Sequence, residues 1–374
     1  MDNLNELNHP ARFKEIASLH TKAFNWESQN RIPLGIHVVK PEYGKGLDYN
    51  DWLNPEPFFE LQRKVLIDTL QVGSDLLPVV AINHLGNAVL TSMFGAEMFM
   101  PETSSATVQD VGPAPIPPFS NIKEVAGLDI PGMDAGIMPD VMRIVRYYKE
   151  RLPSWVHLVA PGPEGPFTVG MELRGPDFIL DLYDHPEECR HLLDLCARLQ
   201  VEVERKVRIL SGEALDQHVT NFGILGTGLR LGDDSMVSLS PSLIREFCFP
   251  AFARVNHFCG GRGHIHFCTL EHRREEFIYP LLAETSEVAV ASTQFGFEYY
   301  EAHLNELRGR LAVESFYGGD AYRYVCRKYG SFRNWAEQFV PRFKNESGLV
   351  LYCQVDSIED GLDMWNTWKE AHAP

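Results

Sequence analysis

The sequence lacks several features that would assign a chain to a class at once. No apolar run approaches the roughly 18 residues that a membrane-spanning helix needs. Positive charge is scarce: 34 lysines and arginines stand against 51 aspartates and glutamates, a formal net charge of −17, which disfavours partners such as nucleic acid or anionic lipid. The first residues have neither the basic start nor the apolar core of a secretory signal, so we expect a cytoplasmic protein.

Cysteine is also sparse, with seven among 374 residues and no dense paired spacing, which favours reduced thiols over a disulfide framework. The motifs Gly-x-Ser-x-Gly and His-Glu-x-x-His and a phosphate-binding loop are missing, and this disfavours hydrolases and nucleotide-dependent enzymes. The composition itself is ordinary, with 44% hydrophobic and 23% charged residues. We therefore expect a globular enzyme of another class.

Short β-branched runs alternate with longer amphipathic stretches along most of the chain. This alternation predicts parallel strands joined by helices, and about eight or nine such units favour a closed (β/α)8 TIM barrel over an open doubly wound sheet. The expected strands are 33–39, 76–82, 155–160, 167–172, 217–224, 263–268, 287–292, 310–315 and 348–353. The expected helices are 56–70, 136–151, 185–210, 241–259, 271–284, 298–308, 331–344 and 357–371.

The domain organisation is expected to be simple. We predict one α/β barrel domain over residues 1–374, in which residues 1–30 form a helical N-terminal extension. Residues 101–135 are irregular and rich in proline and glycine, and a long loop of this kind in a compact domain is commonly a lid or a binding loop. We predict that 101–135 covers the barrel mouth and becomes more ordered with ligand.

The strongest chemical signal is the segment 263–268, Gly-His-Ile-His-Phe-Cys. Alternate side chains of a strand share a face, so His264, His266 and Cys268 are expected to project together. An imidazole and a thiolate two positions apart can both bind one zinc ion. Alone, the pattern fits a histidine and a cysteine packed in a core strand at least as well.

A late cysteine makes a metal site more attractive. Cys353 is predicted to end the last strand, as Cys268 ends an earlier one, and α/β barrels gather such strand ends at the face that holds the active site. Three nitrogen and sulfur ligands with an open fourth position are typical of catalytic zinc. The remaining cysteines fall on helical stretches and are expected to pack in the core: Cys189, Cys196, Cys248, Cys259 and Cys326.

Other polar residues also stand near predicted strand ends. His84 follows one strand and Glu172 ends another, which makes both candidate pocket residues. Asp233 and Asp234 are predicted to lie as a carboxylate pair at the barrel mouth, or else to cap the helix after Pro241 or to be exposed to solvent. The glycine-rich stretch 226–232 lacks the spacing and the acidic partner of a dinucleotide loop, and we predict a turn there.

Taken in order, these segments resemble the uroporphyrinogen decarboxylase superfamily, which also contains cobalamin-dependent methyltransferases that act on thiols. The similar segments are 165–167, 173–176, 184–187, 231–234, 239–241, 247–250, 266–268 and 353–359. The resemblance spans roughly residues 70–372 and is most specific at 266–268 and 231–241. It implies the same (β/α)8 fold that the strand and helix pattern predicts.

The thiol methyltransferase branch of that superfamily implies a zinc site. The resemblance carries the ligand roles to His266, Cys268 and Cys353, although Thr269 stands where a glycine commonly follows the cysteine. It further implies that zinc activates a thiol or similar acceptor, and that a partner corrinoid protein presents methylcobalamin. The candidate catalytic residues remain His84, Glu172, Asp233 and Asp234.

Two other functions stay open. One is a decarboxylase of the uroporphyrinogen type, which needs no metal and clamps a polycarboxylate with cationic side chains. The other is a barrel without catalytic activity that binds a corrinoid protein. The decarboxylase is disfavoured because its first strand ends in Arg-x-x-Gly-Arg, whereas 35–43 contains one lysine and no arginine here. Arginines of other loops could replace that motif, namely Arg174, Arg230 or Arg262.

Overall fold

The protein is described by a computed structural model that covers residues 4–45, 47–48, 51–86, 88–99, 113–159, 161, 164–266, 290–294, 296–315 and 319–373. Several predictions fall partly or wholly on residues outside these ranges. Among them are the zinc role of Cys268, the helix over 271–284, the ends of the strands 155–160, 263–268 and 287–292, and the lid over 101–135, of which 101–112 is not described.

Short strands alternate with longer helices. The strands are β1 (Leu34–Val38), β2 (Val79–Ala81), β3 (Glu97–Phe99), β4 (Ala114–Ile116), β5 (His157–Val159), β6 (Gln217–Val219), β7 (Leu225–Thr227), β8 (Arg230–Gly232), β9 (Gly263–His266), β10 (Val290–Gln294), β11 (Ala312–Ser315) and β12 (Leu349–Val355). The helices are α1 (Pro10–Phe24), α2 (Pro55–Val72), α3 (Ala88–Met93), α4 (Met138–Arg151), α5 (Pro166–Arg174), α6 (Phe178–Asp184), α7 (Pro186–Ser211), α8 (Pro241–Leu243), α9 (Phe249–Phe258), α10 (Phe297–Leu307), α11 (Gly319–Tyr329), α12 (Phe332–Phe343) and α13 (Ile358–His372). A π-helical turn, Ile244–Cys248, joins α8 to α9.

The central sheet is parallel and has the strand order β1-β12-β11-β10-β9-β8, and β2 and β5 form a separate parallel pair. The first and last strands are neighbours, with Ile36 in register with Cys353. A (β/α)8 barrel places its strands in this cyclic order. Within the described ranges no ladder joins β1 to β2 or β5 to β8. The structure therefore establishes a mixed α/β fold with a parallel sheet, and closure into a barrel stays a prediction.

Most predicted elements are present, but two predictions are wrong. The stretch 167–172 was expected as a strand and lies in α5. A short apolar run fits either element, and Pro166 in the first helical turn favours the helix. The stretch 226–232 was expected as a turn and contains β8 with the end of β7. Its glycines permit close backbone approach: a Cβ at Gly228 would overlap the carbonyl of Arg262.

The two faces of the central sheet have different surroundings. The helix-facing side carries aliphatic residues of the main core, among them Leu34, Ile36 and Val38 of β1. The opposite side, here called the inner face, contacts α1, whose Ala23 and Phe24 pack in one cluster with Val350 and Tyr352. Because side chains alternate along a strand, the ladder registers give the members of the inner face as Gly35, His37, Arg230, Gly232, His264, His266, Ala312, Glu314, Val350, Tyr352 and Gln354.

Two segments outside the sheet were singled out from the sequence. The helix α1 lies within the predicted helical extension 1–30. In the described part of 101–135, β4 pairs antiparallel with β3, and the backbone N–H of Phe119 donates to the carbonyl of Leu173 at 3.1 Å. This part packs against α5, and its role as a lid stays a prediction. No helix in the described ranges is long and apolar enough to cross a membrane.

Candidate functional site

The inner face concentrates polar side chains where a core is usually apolar. Glu314 and His264 are each 1% exposed, and His37 and His266 are also buried. The hydroxyl of Tyr352 lies 3.2 Å from Nδ1 of His37. Burying such groups costs free energy unless they are hydrogen-bonded or paired, so buried polar clusters are often kept for a function. This cluster is therefore the candidate functional site.

Glu314 of β11 is the most unusual member of the cluster. Neither of its carboxylate oxygens has a hydrogen-bond partner among the described residues, and Nδ1 of His264 lies 3.9 Å from Oε2. Burial raises the pKa of Glu314 to about 7, and the charge of Arg230 opposes this rise. Burial also lowers the pKa of His264 well below its ordinary value. Near neutral pH Glu314 can therefore both release and accept a proton beside an uncharged imidazole.

Arg230 supplies positive charge to this face. It is the first residue of β8 and is in register with His264. Burial, followed by the charges of Arg208 and Arg230, lowers the pKa of His218 to about 3. The Nε of Arg230 is buried and has no hydrogen-bond partner in the described part of the chain. Positive charge here thus comes from guanidinium groups, because the nearby imidazoles are neutral.

A cavity of about 90 Å³ opens beside Arg230. It lies between β5 and β8, where no ladder is formed in the described structure, and it is bounded by α7 and by the β6–β7 hairpin. Arg208 and Glu204 form part of its wall as a buried ion pair with an Nε to Oε2 distance of 2.9 Å. Asn83 and Asn221 contribute polar amides to its lining. The cavity offers room for a small molecule next to the cationic end of the cluster.

Asp233 has a structural contact set. Its carboxylate accepts hydrogen bonds from the backbone N–H groups of Phe167 and Thr168, at 3.1 and 2.9 Å, and from the hydroxyl of Thr168 at 2.8 Å. It is fully buried, and burial raises its pKa to about 7 against these hydrogen bonds. A Cβ at Gly165 would overlap the carboxylate, so a glycine is needed there. Asp233 therefore caps α5. The alternative that it caps the helix after Pro241 is wrong, because Ser240 caps that helix.

The carboxylates around Asp233 gather near the end of β8. Asp234 is half-exposed, and its Oδ1 lies 3.7 Å from Nε2 of His266. Burial, and after it the charges of Glu172, Asp234 and Asp233, raises the pKa of Glu164 to about 8. The sequence had placed Glu172 at a strand end; it lies on α5 instead. The structure thus brings Glu172, Asp233 and Asp234 into one acidic group, and Glu164 completes it.

His84 lies apart from this group. It follows β2 in a short 3-10 turn, and its ring stacks on Phe58 of α2 with a centroid separation of 4.0 Å. Burial lowers its pKa to about 3. Its neighbour Asn83 contacts the cavity, whereas His84 is not among the residues that line it. The ring therefore packs between a strand end and a helix.

Of the three residues predicted to bind zinc, the structure describes two, His266 and Cys353. Cys353 belongs to the main core on the helix-facing side of β12, between Tyr352 and Gln354 of the inner face. Burial, and after it the neighbouring Cys326 of α11, raises its pKa. His266 lies on the inner face, and Cys268 lies outside the described ranges. The described residues contain no group of three or more histidine, cysteine or acidic side chains that could hold a metal ion.

Sequence reasoning found His264 and His266 on one face, and the paired register confirms this. It did not single out Glu314, although an acidic residue within the predicted strand 310–315 was a usable signal. It also gave no role to His218 or to Tyr352, because nothing local in the sequence marks them. These residues meet only through the long-range strand order.

The fold and the site define the class: a mixed α/β protein with a central parallel sheet that carries a buried carboxylic acid and an arginine on its inner face. Among solved structures the chain is similar to a methyltransferase from Methanosarcina mazei, with a TM-score of 0.66 and 14% identity. The match covers 96% of this chain and 99% of that chain. No protein-family profile and no curated protein matches this sequence. At this identity the similarity shows a shared fold.

Proposed function

We propose that the chain is a methyltransferase that moves a methyl group between a corrinoid-carrying protein and a small thiol or similar acceptor. Two observations support this proposal. The fold is shared with a methyltransferase over nearly the whole length of both chains. The inner face of the sheet carries Glu314, a buried acid with a pKa of about 7, and this observation carries the assignment of the reaction centre.

Methyl transfer to a heteroatom needs a base, because the S–H or similar proton must leave as the new bond to carbon forms. Ionised Glu314 accepts that proton. A methylcobalamin presented by the partner protein would supply the methyl group, and the electron pair of the carbon–cobalt bond would stay with the corrinoid, so charge would balance. In the reverse direction, protonated Glu314 returns the proton to the leaving heteroatom. His264 stays neutral beside it and adds no competing charge.

The zinc that the family resemblance implies does not fit the described residues as a site shared by His266 and Cys353, since these lie on opposite faces of one sheet. His266 and Cys268 remain a predicted pair of ligands. The proton transfer at Glu314 needs no metal. Decarboxylation of a polycarboxylate is supported less well, because Arg230 is the single arginine on the described inner face.

The experiment that tests the proposal is an anaerobic assay with methylcobalamin and 3-mercaptopropionate, followed by the absorbance change of the corrinoid. The wild-type protein is expected to accelerate the loss of methylcobalamin. Glu314→Gln should lower the rate by roughly 100-fold or more, the usual contribution of a positioned acid or base. Glu337→Gln changes an exposed glutamate of α12 and is the matched control. An undiminished rate in Glu314→Gln would remove this residue from the mechanism. Absence of turnover by the wild-type protein with methylcobalamin and a panel of small thiols and amines would overturn the methyltransferase assignment.

A further inference from the structure

We infer that the small molecule bound by this protein carries a carboxylate, and that Arg230 binds this carboxylate in the cavity between β5 and β8. The inference rests on the proposed function in one respect: the bound molecule is taken to be the methyl acceptor. The charges around the cavity carry it.

The other ionic groups of the cavity wall are already paired. Arg208 contacts Glu204, and it also donates to the carbonyl of Ala214 at 2.7 Å. Glu213 is bonded to Nδ1 of His157 at 3.1 Å. The charge of Lys149 also acts on Glu213 and helps to keep its pKa below the ordinary value. Both acids of the wall therefore have cationic groups near them.

Arg230 differs from these groups. It forms no ion pair within 4.0 Å with any residue that the structure describes, and its buried Nε has no hydrogen-bond partner there. A buried Nε–H without an acceptor is costly, and a bound anion beside the guanidinium would offset that cost. The planar guanidinium presents parallel N–H groups that match a carboxylate in a bidentate contact.

The surroundings of Arg230 favour an anion over a cation. Nδ1 of His218 lies 3.1 Å from the carbonyl of Thr227 and so donates to it, and the ring stays neutral because its pKa is low. Glu314 and Glu164 interact with Arg230, and the raised pKa of each keeps much of its population protonated near neutrality. A protonated acid does not compete with a ligand carboxylate for the guanidinium. The ligand itself therefore supplies the missing negative charge.

The size of the cavity limits the ligand further. The enclosed volume of about 90 Å³ corresponds to about three waters at roughly 30 Å³ each, and the cavity opens toward solvent. It therefore suits a short compound that partly extends out of it, and it is far too small for a tetrapyrrole. Asn83, Thr220 and Asn221 line the same space and offer hydrogen bonds to a second polar group of the ligand. A short thiol acid such as 3-mercaptopropionate fits both the charge and the volume.

The test compares 3-mercaptopropionate with its neutral amide, 3-mercaptopropionamide, by isothermal titration calorimetry. Wild-type protein should bind the acid at least tenfold more tightly than the amide. Arg230→Gln should abolish this preference, and Arg230→Lys should retain part of it. Arg262→Gln changes an exposed arginine just before β9 and should leave the preference intact. Arg230→Met provides a second variant if the glutamine variant does not fold.

Equal affinity for acid and amide in the wild type, or an acid preference that survives in folded Arg230→Gln and Arg230→Met, would overturn the inference. So would the absence of binding by 3-mercaptopropionate, succinate and benzoate up to about 10 mM. The proposed function fails separately. Acid-selective binding without methyl transfer would leave the carboxylate site standing, and methyl transfer to neutral thiols without acid selectivity would leave only the methyltransferase.

Discussion

Oε2 of Glu314 lies 3.9 Å from Nδ1 of His264, and both side chains are 1% exposed. The same burial raises the pKa of the carboxyl and lowers the pKa of the imidazole, because a medium of low polarity disfavours both charged forms. The neutral acid and the neutral imidazole are therefore the stable pair below neutral pH. Protonated Glu314 can therefore hold a transferable proton while the pair of side chains remains uncharged.

The first prediction concerns the pH dependence of stability. The pKa of Glu314 is about 7 in the folded protein against an ordinary value of 4.5, so the native state binds more protons between these values. Stability contributed by the protonated group is full below pH 4.5 and is lost as the pH rises to 7. The Glu314→Gln variant cannot ionise at this position. Its free energy of unfolding, relative to that of the wild type, should therefore rise by roughly 2–4 kcal/mol from pH 5 to pH 8.

Urea unfolding at the two pH values measures this difference. Glu337→Gln, at an exposed position of α12, should show the same stability as wild type at both. Asp233 and Glu164 also have raised pKa values and are unchanged in the variant, so they do not contribute to the comparison. A difference between Glu314→Gln and wild type that is independent of pH would contradict the buried ionisation of Glu314.

The second prediction separates the two adjacent aspartates. Asp233→Ala removes the acceptor of three hydrogen bonds at the start of α5 and should lower the free energy of unfolding by about 2–4 kcal/mol. Asp234→Ala should change it by less than about 0.5 kcal/mol, since that side chain is half-exposed. The urea midpoints of the two variants give the comparison. Equal losses, or a larger loss for Asp234→Ala, would show that Asp233 does not cap the helix.

The third prediction concerns His84, which the sequence suggested as a catalytic residue. Its ring stacks on Phe58 and its buried Nε2 has no hydrogen-bond partner among the described residues. His84→Phe keeps the aromatic contact and removes the unpaired Nε2, but it also loses the hydrogen bond between the ring and the backbone of Trp52. The free energy of unfolding should therefore fall by about 1–2 kcal/mol. The rate of methylcobalamin loss should be unchanged. A large fall in rate with intact folding would return His84 to the list of catalytic residues.

The sequence could predict those features that follow from strand geometry alone. His264 and His266 share a face because side chains alternate along any strand, and this needed no knowledge of the fold. The late position of Cys353 suggested a strand end in the same way, but β12 continues to Val355. A shift of one residue moves a side chain to the other face of a sheet. The sequence could not show on which face of the sheet Cys353 lies, because the run 349–353 is equally apolar at odd and even positions.

The proximity of Glu314 and Arg230 could not be predicted from the sequence, for a different reason. The two residues are separated by more than eighty positions in the sequence, and only the order β11-β10-β9-β8 brings their strands to one face. No local pattern encodes that order. The sequence does place an acidic residue, Glu314, inside the predicted strand 310–315, and a carboxylate in a buried strand is itself a signal of a functional site.

The last prediction tests, through the zinc content of the protein, whether Cys353 lies on the helix-facing side of β12. Cys353→Ala removes a buried sulfur from the contact between β12 and α11 and should lower the free energy of unfolding by about 1–2 kcal/mol. The zinc content of purified protein, measured by plasma mass spectrometry, should equal that of wild type, because the thiol faces away from His266. Cys326→Ala alters the same contact from the α11 side and is the matched control. Should Cys353→Ala lose zinc while Cys326→Ala keeps it, with both folded, then Cys353 is a ligand and the side chains of β12 must lie one position out of the register with β1 described above.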